Sequence, residues 1–317
     1  NMKNYDYIVI GAGSSGCVLA SRLSQNPNNK VLLIESGAQD SHPFIKMPAT
    51  FFKVIEKGRD IVAYVGEPSK KLNNRPSVVL QGQVVGGGSS VNAMLYVRGQ
   101  AEDYDSWARE GNIGWSYADV LPVFRDMENN MELADEFHGT DGKLHVSETG
   151  FHHPLSRAFI RAAQQAGIAH NPDFNGANQQ GVGFYQTTTH NGRRWSSAEA
   201  FLREAEPLTN LTIMTQTRVA RVLFSDNRAS GVELENGDKL NASKEVILCA
   251  GAIETPRLLQ LSGVGDSEHL QSHGISVVSH LPGVGENYQD HLETTVQGVT
   301  KHPISFFGED KGLKGAK

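Results

Sequence analysis

The 317-residue sequence has only two cysteines, no surplus of positive charge and no long apolar run. Because 35 acidic residues outnumber 29 basic ones and the net charge is −6, a nucleic-acid partner is not indicated. A bilayer-spanning helix needs about 18 consecutive apolar residues, so we predict no membrane span. No apolar segment precedes the strand-like sequence that begins at Tyr5, and we therefore expect no secretory signal.

The two cysteines are predicted to be reduced thiols. Cys17 falls in a predicted helix and Cys249 in a predicted strand, and each is interpreted as a small core residue rather than half of a disulfide. We therefore expect a cytoplasmic protein.

The hydrophobic fraction of 38%, together with 33 glycines, is typical of a globular chain and excludes disorder throughout.

The N-terminal sequence has the pattern of a dinucleotide-binding βαβ unit. A β-branched strand over 5–10 precedes GAGSSG, a helical segment follows, and an apolar strand ends at Glu35. Gly11 permits a tight turn, Gly13 lets the backbone approach a pyrophosphate, and Gly16 lets helix and strand pack closely. The free N–H groups at the helix N-terminus favour phosphate.

Glu35 lies 19 residues after Gly16, where a carboxylate can accept hydrogen bonds from both ribose hydroxyls. Its charge would repel a 2′-phosphate, which argues against NADP. From Leu211 onward, short strands with a type I′ hairpin signal at Asn236-Gly237 indicate a β-meander, followed by a buried strand ending in Ala-Gly. An N-terminal βαβ unit with a late meander is typical of FAD domains of the glutathione-reductase type, so FAD is favoured over NAD.

Other elements are predicted from periodicity and from residues that begin or end helices. Thr255 can N-cap a helix with Pro256 at its first position. The remaining predictions are mostly loop over 36–80, a helix-compatible stretch after Ser90, a strand over 144–147, an amphipathic helix over 154–167, a strand over 181–189 and a helix over 197–208.

Two further segments make the sequence resemble the glucose-methanol-choline (GMC) oxidoreductases. GQVVGGGSSVNAMLYVRGQAEDYD over 82–105 resembles their first signature, and GAIETPRLLQLSGVG over 251–265 resembles their second. GVGENYQDH over 283–291 is also similar. The resemblance runs in the family's order over 5–295, and the choline dehydrogenase-like members are the most similar.

The resemblance implies an α/β fold, α+β overall, in which a Rossmann-like FAD-binding domain with a β-meander is interleaved with a substrate domain. We predict that 1–143 and 196–295 form the FAD-binding domain. The ranges 144–195 and 296–317 would begin the substrate-binding domain.

The resemblance also implies which residues contact FAD. They are Gly11, Gly13, Ser14, Ser15, Gly16, Glu35, Ser36, Gly86, Gly87, Ser90, Asn92, Ala93, Met94, Val219, Ala250 and Gly251. Gln83 departs from the family, which usually has Arg or Lys there. Some members attach FAD through a histidine at the position of Val91, so we expect non-covalent FAD.

Some segments allow a plain structural interpretation as well. Met94 and Leu95 fit core positions, and Arg194 with Ser197 resembles a family segment but is equally explained by a helix start with solvated arginines. His152 and His153 precede a proline, and no third ligand has suitable spacing, so no metal site is predicted.

The function implied is oxidation of an alcohol CH–OH group, with hydride passing to flavin N5 and the hydroxyl proton to a base. The substrate would be a small-molecule alcohol, and the electron acceptor oxygen or a quinone-type or dye-type compound. Because family members carry their base downstream of the position of Lys317, we assign no catalytic residue, and His291 is interpreted as structural or flavin-proximal. A hydroxynitrile lyase-like activity and a non-catalytic flavin-binding module are the alternatives.

Overall fold

The structure is a computed structural model that describes residues 3–305. These residues form two compact units. The first unit contains 3–148 and 186–287, and the second contains 149–185 and 288–305. Which unit serves cofactor and which serves substrate stays a prediction.

All the strands belong to the first unit. They are β1 Lys3–Ile10, β2 Val31–Ile34, β3 Ile61–Val65, β4 Val78–Gly82, β5 Glu128–Asn130, β6 Leu144–Val146, β7 Thr189–His190, β8 Arg193–Arg194, β9 Leu211–Met214, β10 Val219–Ser225, β11 Arg228–Leu234, β12 Lys239–Leu248, β13 Val264–Gly265 and β14 Ser279–His280, counted over the described residues.

The helices of the first unit are α1 Ser14–Ser24, α2 Pro43–Lys46, α3 Phe51–Glu56, α4 Ala101–Arg109, α5 Tyr117–Met127, α7 Arg203–Ala205, α8 Gly251–Leu261 and α9 Ser267–Ser272, and α6 Pro154–Gln165 belongs to the second unit. Short 3₁₀ turns cover Pro48–Thr50, Lys70–Leu72 and Gly87–Ser90, and a π-helical turn covers Ala198–Leu202.

A six-stranded mixed sheet forms the centre of the first unit, in the order β10-β11-β12-β1-β2-β9. The strands from β12 to β9 are parallel, whereas β10, β11 and β12 are antiparallel neighbours. Ile10 pairs with both Leu248 and Ile34, so β1, β2 and β12 end side by side. The predicted α/β class is confirmed, and the loops that follow these three strands meet at one edge of the sheet.

The sheet is covered on both faces, and its central strands contain continuous apolar runs over 7–10, 31–34 and 246–248. Ile8 and Ile10 point into one cluster that includes Leu258 of α8. Val9 points into the opposite cluster, which includes Cys17 of α1. Such unbroken apolar strands are typical of parallel sheets buried on both faces, and this core fixes the loops at the strand ends.

The predicted β-meander needs correction at its ends. Leu211–Met214 is not part of it but pairs parallel with β2 at the opposite edge. The two strands predicted over KLNAS and EVILCAG are one continuous strand, β12. The hairpin at Asn236-Gly237 exists, and its turn is closed by a hydrogen bond from the Gly237 N–H to the Leu234 carbonyl at 2.9 Å. Within the turn, however, only Gly237 has a positive φ, +88°. A type I′ turn needs two such residues in succession, so that prediction was wrong.

Other predicted elements were wrong in the loops around the sheet. The region 36–80 contains α2, α3 and the strands of the β3–β4 hairpin rather than loop alone. The stretch after Ser90 is not helical, and 181–189 forms only isolated bridges before β7. Helix α8 begins at Gly251 with Ala250 as N-cap, so Pro256 lies inside the helix and Thr255 does not cap it.

The second unit is small and contains α6. His153 caps this helix, because its Nδ1 accepts the Leu155 N–H at 3.1 Å, which confirms the predicted helix start. No residue of α6 is buried. His291 lies exposed in the same unit.

Candidate functional site

The loops after β1, β2 and β12 surround a cavity of about 680 Å³ in the first unit. This volume falls within the range of roughly 300–1,000 Å³ that is usual for ligand sites. Ten of the sixteen residues predicted from the sequence line the cavity: Gly11, Gly13, Ser14, Ser15, Glu35, Ser36, Gly87, Val219, Ala250 and Gly251. We call it the nucleotide cavity.

The glycines of the first turn have different physical tasks. Gly11 has φ of +99°, and a Cβ there would lie 2.4 Å from the Cys249 carbonyl oxygen. A Cβ on Gly16 would lie 1.8 Å from the Gly11 carbonyl oxygen, so helix α1 can approach β1 only without a side chain. A Cβ on Gly13 would have no neighbour closer than 4.0 Å. Gly13 therefore leaves open space in the cavity at the N-terminus of α1.

A second glycine segment closes the cavity against the first. Gly86 N–H bonds to the Ala12 carbonyl at 2.7 Å, and Gly87, with φ of +54°, packs against Gly13. A Cβ on Gly87 would lie 2.7 Å from the Gly13 Cα. A Cβ on Gly88 would meet nothing within 4 Å. The two turns thus pack backbone against backbone and leave room in front of them.

Glu35 is buried at the end of β2, with 6% of its surface exposed. Its Oε2 accepts the Ala12 N–H at 2.9 Å, and its Oε1 accepts the Gly37 N–H at 2.8 Å. Burial raises the pKa of the Glu35 carboxyl above its ordinary value of 4.5, against the lowering effect of these backbone bonds. A carboxylate has about four acceptor positions, so the described contacts leave acceptor capacity for a ligand's hydroxyl groups.

Several lining residues were missed in the sequence. Tyr64 of β3 reaches across the cavity, and its hydroxyl donates to Glu254 Oε1 of α8 at 2.8 Å. Glu254 also pairs with Arg257 at 3.0 Å and with Arg218 at 3.9 Å. Burial, reinforced by the Glu254 carboxylate, raises the pKa of the Tyr64 hydroxyl. We call the Tyr64–Glu254 contact the hairpin clasp, because it ties the β3–β4 hairpin to α8.

Six predicted residues do not line the cavity. Gly16 and Gly86 are packed behind it, and the buried Ser90 hydroxyl donates to the Val85 carbonyl at 2.7 Å. Asn92, Ala93 and Met94 follow the lining residues Gly87 and Gly88 along the chain but lie outside the cavity. Asn92 and Ala93 are exposed, and Met94 is buried with φ of +64°. Whether these residues contact a cofactor stays a prediction.

Gln83, at the position where the family usually has Arg or Lys, lines the cavity without adding charge. Its Nε2 donates to the Ser36 hydroxyl at 3.2 Å. Arg194, for which solvated arginines offered an equal explanation, is 2% exposed. That explanation was wrong for this residue.

Parallel strands, a glycine turn at the start of α1 and a buried acid at the end of β2 together define a dinucleotide-binding domain. The family follows from the sequence: residues 5–293 match the GMC oxidoreductase family, and the chain belongs to it.

The relatives include proteins with curated activities. The chain is 45% identical over 305 residues to an oxygen-dependent choline dehydrogenase of Rhizobium etli (95% of this chain, 55% of that protein). It is 44% identical over 321 residues to an alcohol dehydrogenase (acceptor) of Pseudomonas putida (98% of this chain, 58% of that protein). The chain therefore spans little more than half the length of these relatives.

Among solved structures, an FAD-dependent oxidoreductase from Chaetomium thermophilum is similar with a TM-score of 0.84 and 33% identity. The match covers 88% of this chain and 51% of that one. Within residues 3–305, none of the helices has the length and apolar character needed to cross a bilayer.

Proposed function

We propose that the nucleotide cavity binds FAD non-covalently and that the protein oxidises the CH–OH group of a small alcohol. The observation that carries the proposal is the open space at Gly13, the N-cap of α1, in a cavity that the buried Glu35 also lines. Anions are favoured at a helix N-terminus, and ribose hydroxyls can donate to a carboxylate. The cavity thus offers one group suited to a pyrophosphate and another suited to the adjoining ribose.

The residues of the chain position and shield the cofactor. N–H groups of the first turn of α1 would bind the pyrophosphate, and Glu35 would accept the ribose hydroxyls. The β3–β4 hairpin, held by the clasp, would limit the access of water to this part of the site. When bound, FAD supplies the hydride acceptor for alcohol oxidation.

The substrate class rests on the relatives. Proteins named choline dehydrogenase and alcohol dehydrogenase are almost equally similar to this chain. A panel of choline and simple primary alcohols, assayed with oxygen and with a dye acceptor, tests the activity in the full-length protein. Turnover of no alcohol by the FAD-loaded protein would contradict oxidation and favour a lyase or a flavin-binding module. The cytoplasmic location stays a prediction.

Acid precipitation should release yellow FAD into the supernatant, because Val91 has no nucleophilic atom to attach to the flavin. Val91 is also buried, with 9% of its surface exposed. Mass spectrometry of the supernatant identifies the nucleotide, and absorbance of the redissolved pellet checks for attached flavin. Colour that stays with the pellet would contradict non-covalent binding, and release of NAD would contradict FAD.

Tyr64→Phe should speed the release of FAD about tenfold, because it removes the clasp hydrogen bond and leaves the ring in place. A hydrogen bond to a charged group contributes about 1.5–3 kcal/mol when buried, and partial exposure of this one reduces the effect to ~1.4 kcal/mol. The dissociation rate can be followed by the rise in flavin fluorescence on dilution. Tyr7→Phe is the control, since Tyr7 does not line the cavity. Equal rates in wild type and Tyr64→Phe would show that the clasp does not retain the cofactor.

A further inference from the structure

Arg194 is a buried guanidinium without an acidic partner among the described residues. It is 2% exposed, and no carboxylate there lies within ion-pair distance of it. Its Nη2 is buried and makes no hydrogen bond within residues 3–305. Arginines are rarely fully buried without a partner, and an unsatisfied buried donor costs about 1–3 kcal/mol. A purely structural role accounts poorly for such an arrangement.

The acidic groups near this position are already paired with other cations. Arg194 Nε donates to the Ile45 carbonyl at 2.8 Å. The neighbouring Lys46 pairs with Asp40 at 2.8 Å and with Glu199, and Arg203 pairs with both of the same acids. Two acids thus serve two other cations, and the charge of Arg194 is left uncompensated. Burial lowers the pKa of Arg194 to about 10, so the side chain stays charged at neutral pH.

The other contacts of Arg194 lead to the segment that follows the cavity-lining glycines. Its Nη1 donates to the Asn92 Oδ1 at 2.8 Å and to the Ser89 carbonyl at 3.2 Å. Asn92 Oδ1 also accepts the N–H of Met94 at 3.1 Å. Both neighbours are donors, which fixes the amide oxygen inward and the amide nitrogen outward. Asn92 is exposed, and its side-chain amide N–H groups donate to no acceptor among the described residues.

The position of this segment follows from the order of sites along the cavity. Glu35 would accept hydrogen bonds from the ribose, and the N–H groups at the N-terminus of α1 would bind the pyrophosphate. Gly87 packs on Gly13 beside that terminus. Segment 89–94 follows the lining residues Gly87 and Gly88 directly along the chain, and we infer that the part of a cofactor beyond its pyrophosphate would extend toward it. An exposed amide donor backed by an uncompensated cation suits a group that gains negative charge.

We propose that Arg194 is a positioning residue for the flavin: it directs the Asn92 amide N–H groups outward as donors to the ring and places a positive charge behind segment 89–94. The inference rests on the proposed FAD binding and extends it to a side chain outside the cavity lining. A positive charge near the ring stabilises reduced flavin over oxidised flavin. Arg194 should therefore affect the reduction potential as well as the affinity.

The test replaces Arg194 in the full-length protein and measures two properties. Arg194→Met should raise the Kd for FAD about tenfold and lower the midpoint potential of the bound flavin. The potential should fall by about 30 mV for each tenfold loss of preference for reduced flavin. Arg194→Lys should keep the potential, because it keeps the charge, but should still weaken FAD, because one ammonium group cannot reach all three acceptors.

Two controls separate this role from a structural one. Arg98 is also buried, with 6% of its surface exposed, but it is paired with Glu128 at 2.8 Å. Arg98→Met should therefore destabilise the fold and leave the potential unchanged. Asn92→Ala removes the exposed amide together with the acceptor of the Arg194 and Met94 hydrogen bonds, and it should weaken FAD. If Arg194 acts through Asn92, the double variant Asn92→Ala/Arg194→Lys should bind FAD only slightly more weakly than Asn92→Ala alone. These two variants still test the inference if Arg194→Met does not fold.

The outcomes distinguish the two proposals. A wild-type protein that binds no FAD overturns the proposed function and this inference together. A wild type that binds FAD, with an Arg194→Met variant of unchanged Kd and potential, overturns the inference alone. Fully additive effects of Arg194→Lys and Asn92→Ala on Kd, or no effect of either, would also contradict it.

Discussion

Gly16→Ala should strongly destabilise the first unit. The new Cβ would lie 1.8 Å from the Gly11 carbonyl oxygen, and both residues belong to backbone held between β1 and α1. Neither atom is at the end of a flexible side chain, so relief requires the helix to move away from the sheet. Overpacking of this kind costs more than about 3 kcal/mol when the backbone must move. The full-length variant should therefore be largely insoluble, or should melt roughly 6–12 °C below the wild type.

Gly13→Ala is the matched control, because it adds the same methyl group three residues before Gly16, at the N-cap of α1. Its Cβ would have at least 4.0 Å of free space, and Gly13 has negative φ, so the apoprotein should keep wild-type stability. The methyl group would, however, occupy the space offered to the pyrophosphate. FAD affinity should fall about a hundredfold, or ~2.7 kcal/mol. Thermal melts and FAD titration separate the two effects. A Gly16→Ala protein with a wild-type melting temperature would refute this account of the turn.

The centre of the fold was predictable because its signals are local. β1, α1 and β2 occupy the positions expected from an apolar run, a glycine turn and a second apolar run. Parallel strands buried on both faces require continuous apolar sequence, and few other elements share that pattern. That residues attached to these strands line one cavity was predictable for the same reason, since the ends of strands that pair in register meet at one edge.

The edges of the fold depend on contacts that a single sequence does not reveal. The strand Ile61–Val65 lies in a region rich in Pro, Gly and Asn, and its hairpin is fixed by packing and by the clasp rather than by a short turn signal. Tyr64 and Glu254 are 190 residues apart, so neither could be assigned to the site by spacing. Pro256 indicated a helix start, yet α8 begins five residues earlier at Gly251, with φ of +85°.

Arg194 shows how an ambiguous segment is resolved by burial. Two adjacent arginines before a serine-rich helix start are equally compatible with solvent exposure and with burial. The sequence does not show that the carbonyls of Ile45 and Ser89 lie where they accept hydrogen bonds from Arg194. The structure buries Arg194 on β8 and leaves its neighbour Arg193 exposed. Long-range contacts, not composition, decide which of two identical residues carries a buried charge.

Glu35→Gln should weaken FAD about ten- to a hundredfold and also destabilise the apoprotein. Glutamine has one acceptor oxygen, so it can serve either the Ala12 N–H or the Gly37 N–H while its amide nitrogen faces the other donor. One buried N–H then lacks a partner, at a cost of about 1–3 kcal/mol. Loss of charge-assisted bonds to the ribose costs about 1.5–3 kcal/mol of binding, which gives the expected fall in affinity. FAD titration and urea unfolding measure the two losses.

The pH dependence of Glu35 gives a sharper test than the loss of affinity. Burial raises its pKa in the folded protein above the value of 4.5, so the folded state holds the proton more tightly than the unfolded state. Its contribution to stability is therefore greatest at low pH and declines as pH rises from about 4.5 through the folded pKa. Ribose hydroxyls donate better to the ionised carboxylate, so FAD binding should tighten over that same interval and then level off.

Glu35→Gln should remove the pH dependence of stability and that of FAD affinity. The difference between wild type and variant cancels the titration of other groups. A wild-type affinity that is flat from pH 4.5 to 8, or one that weakens as pH rises, would show that Glu35 does not accept hydrogen bonds from the cofactor.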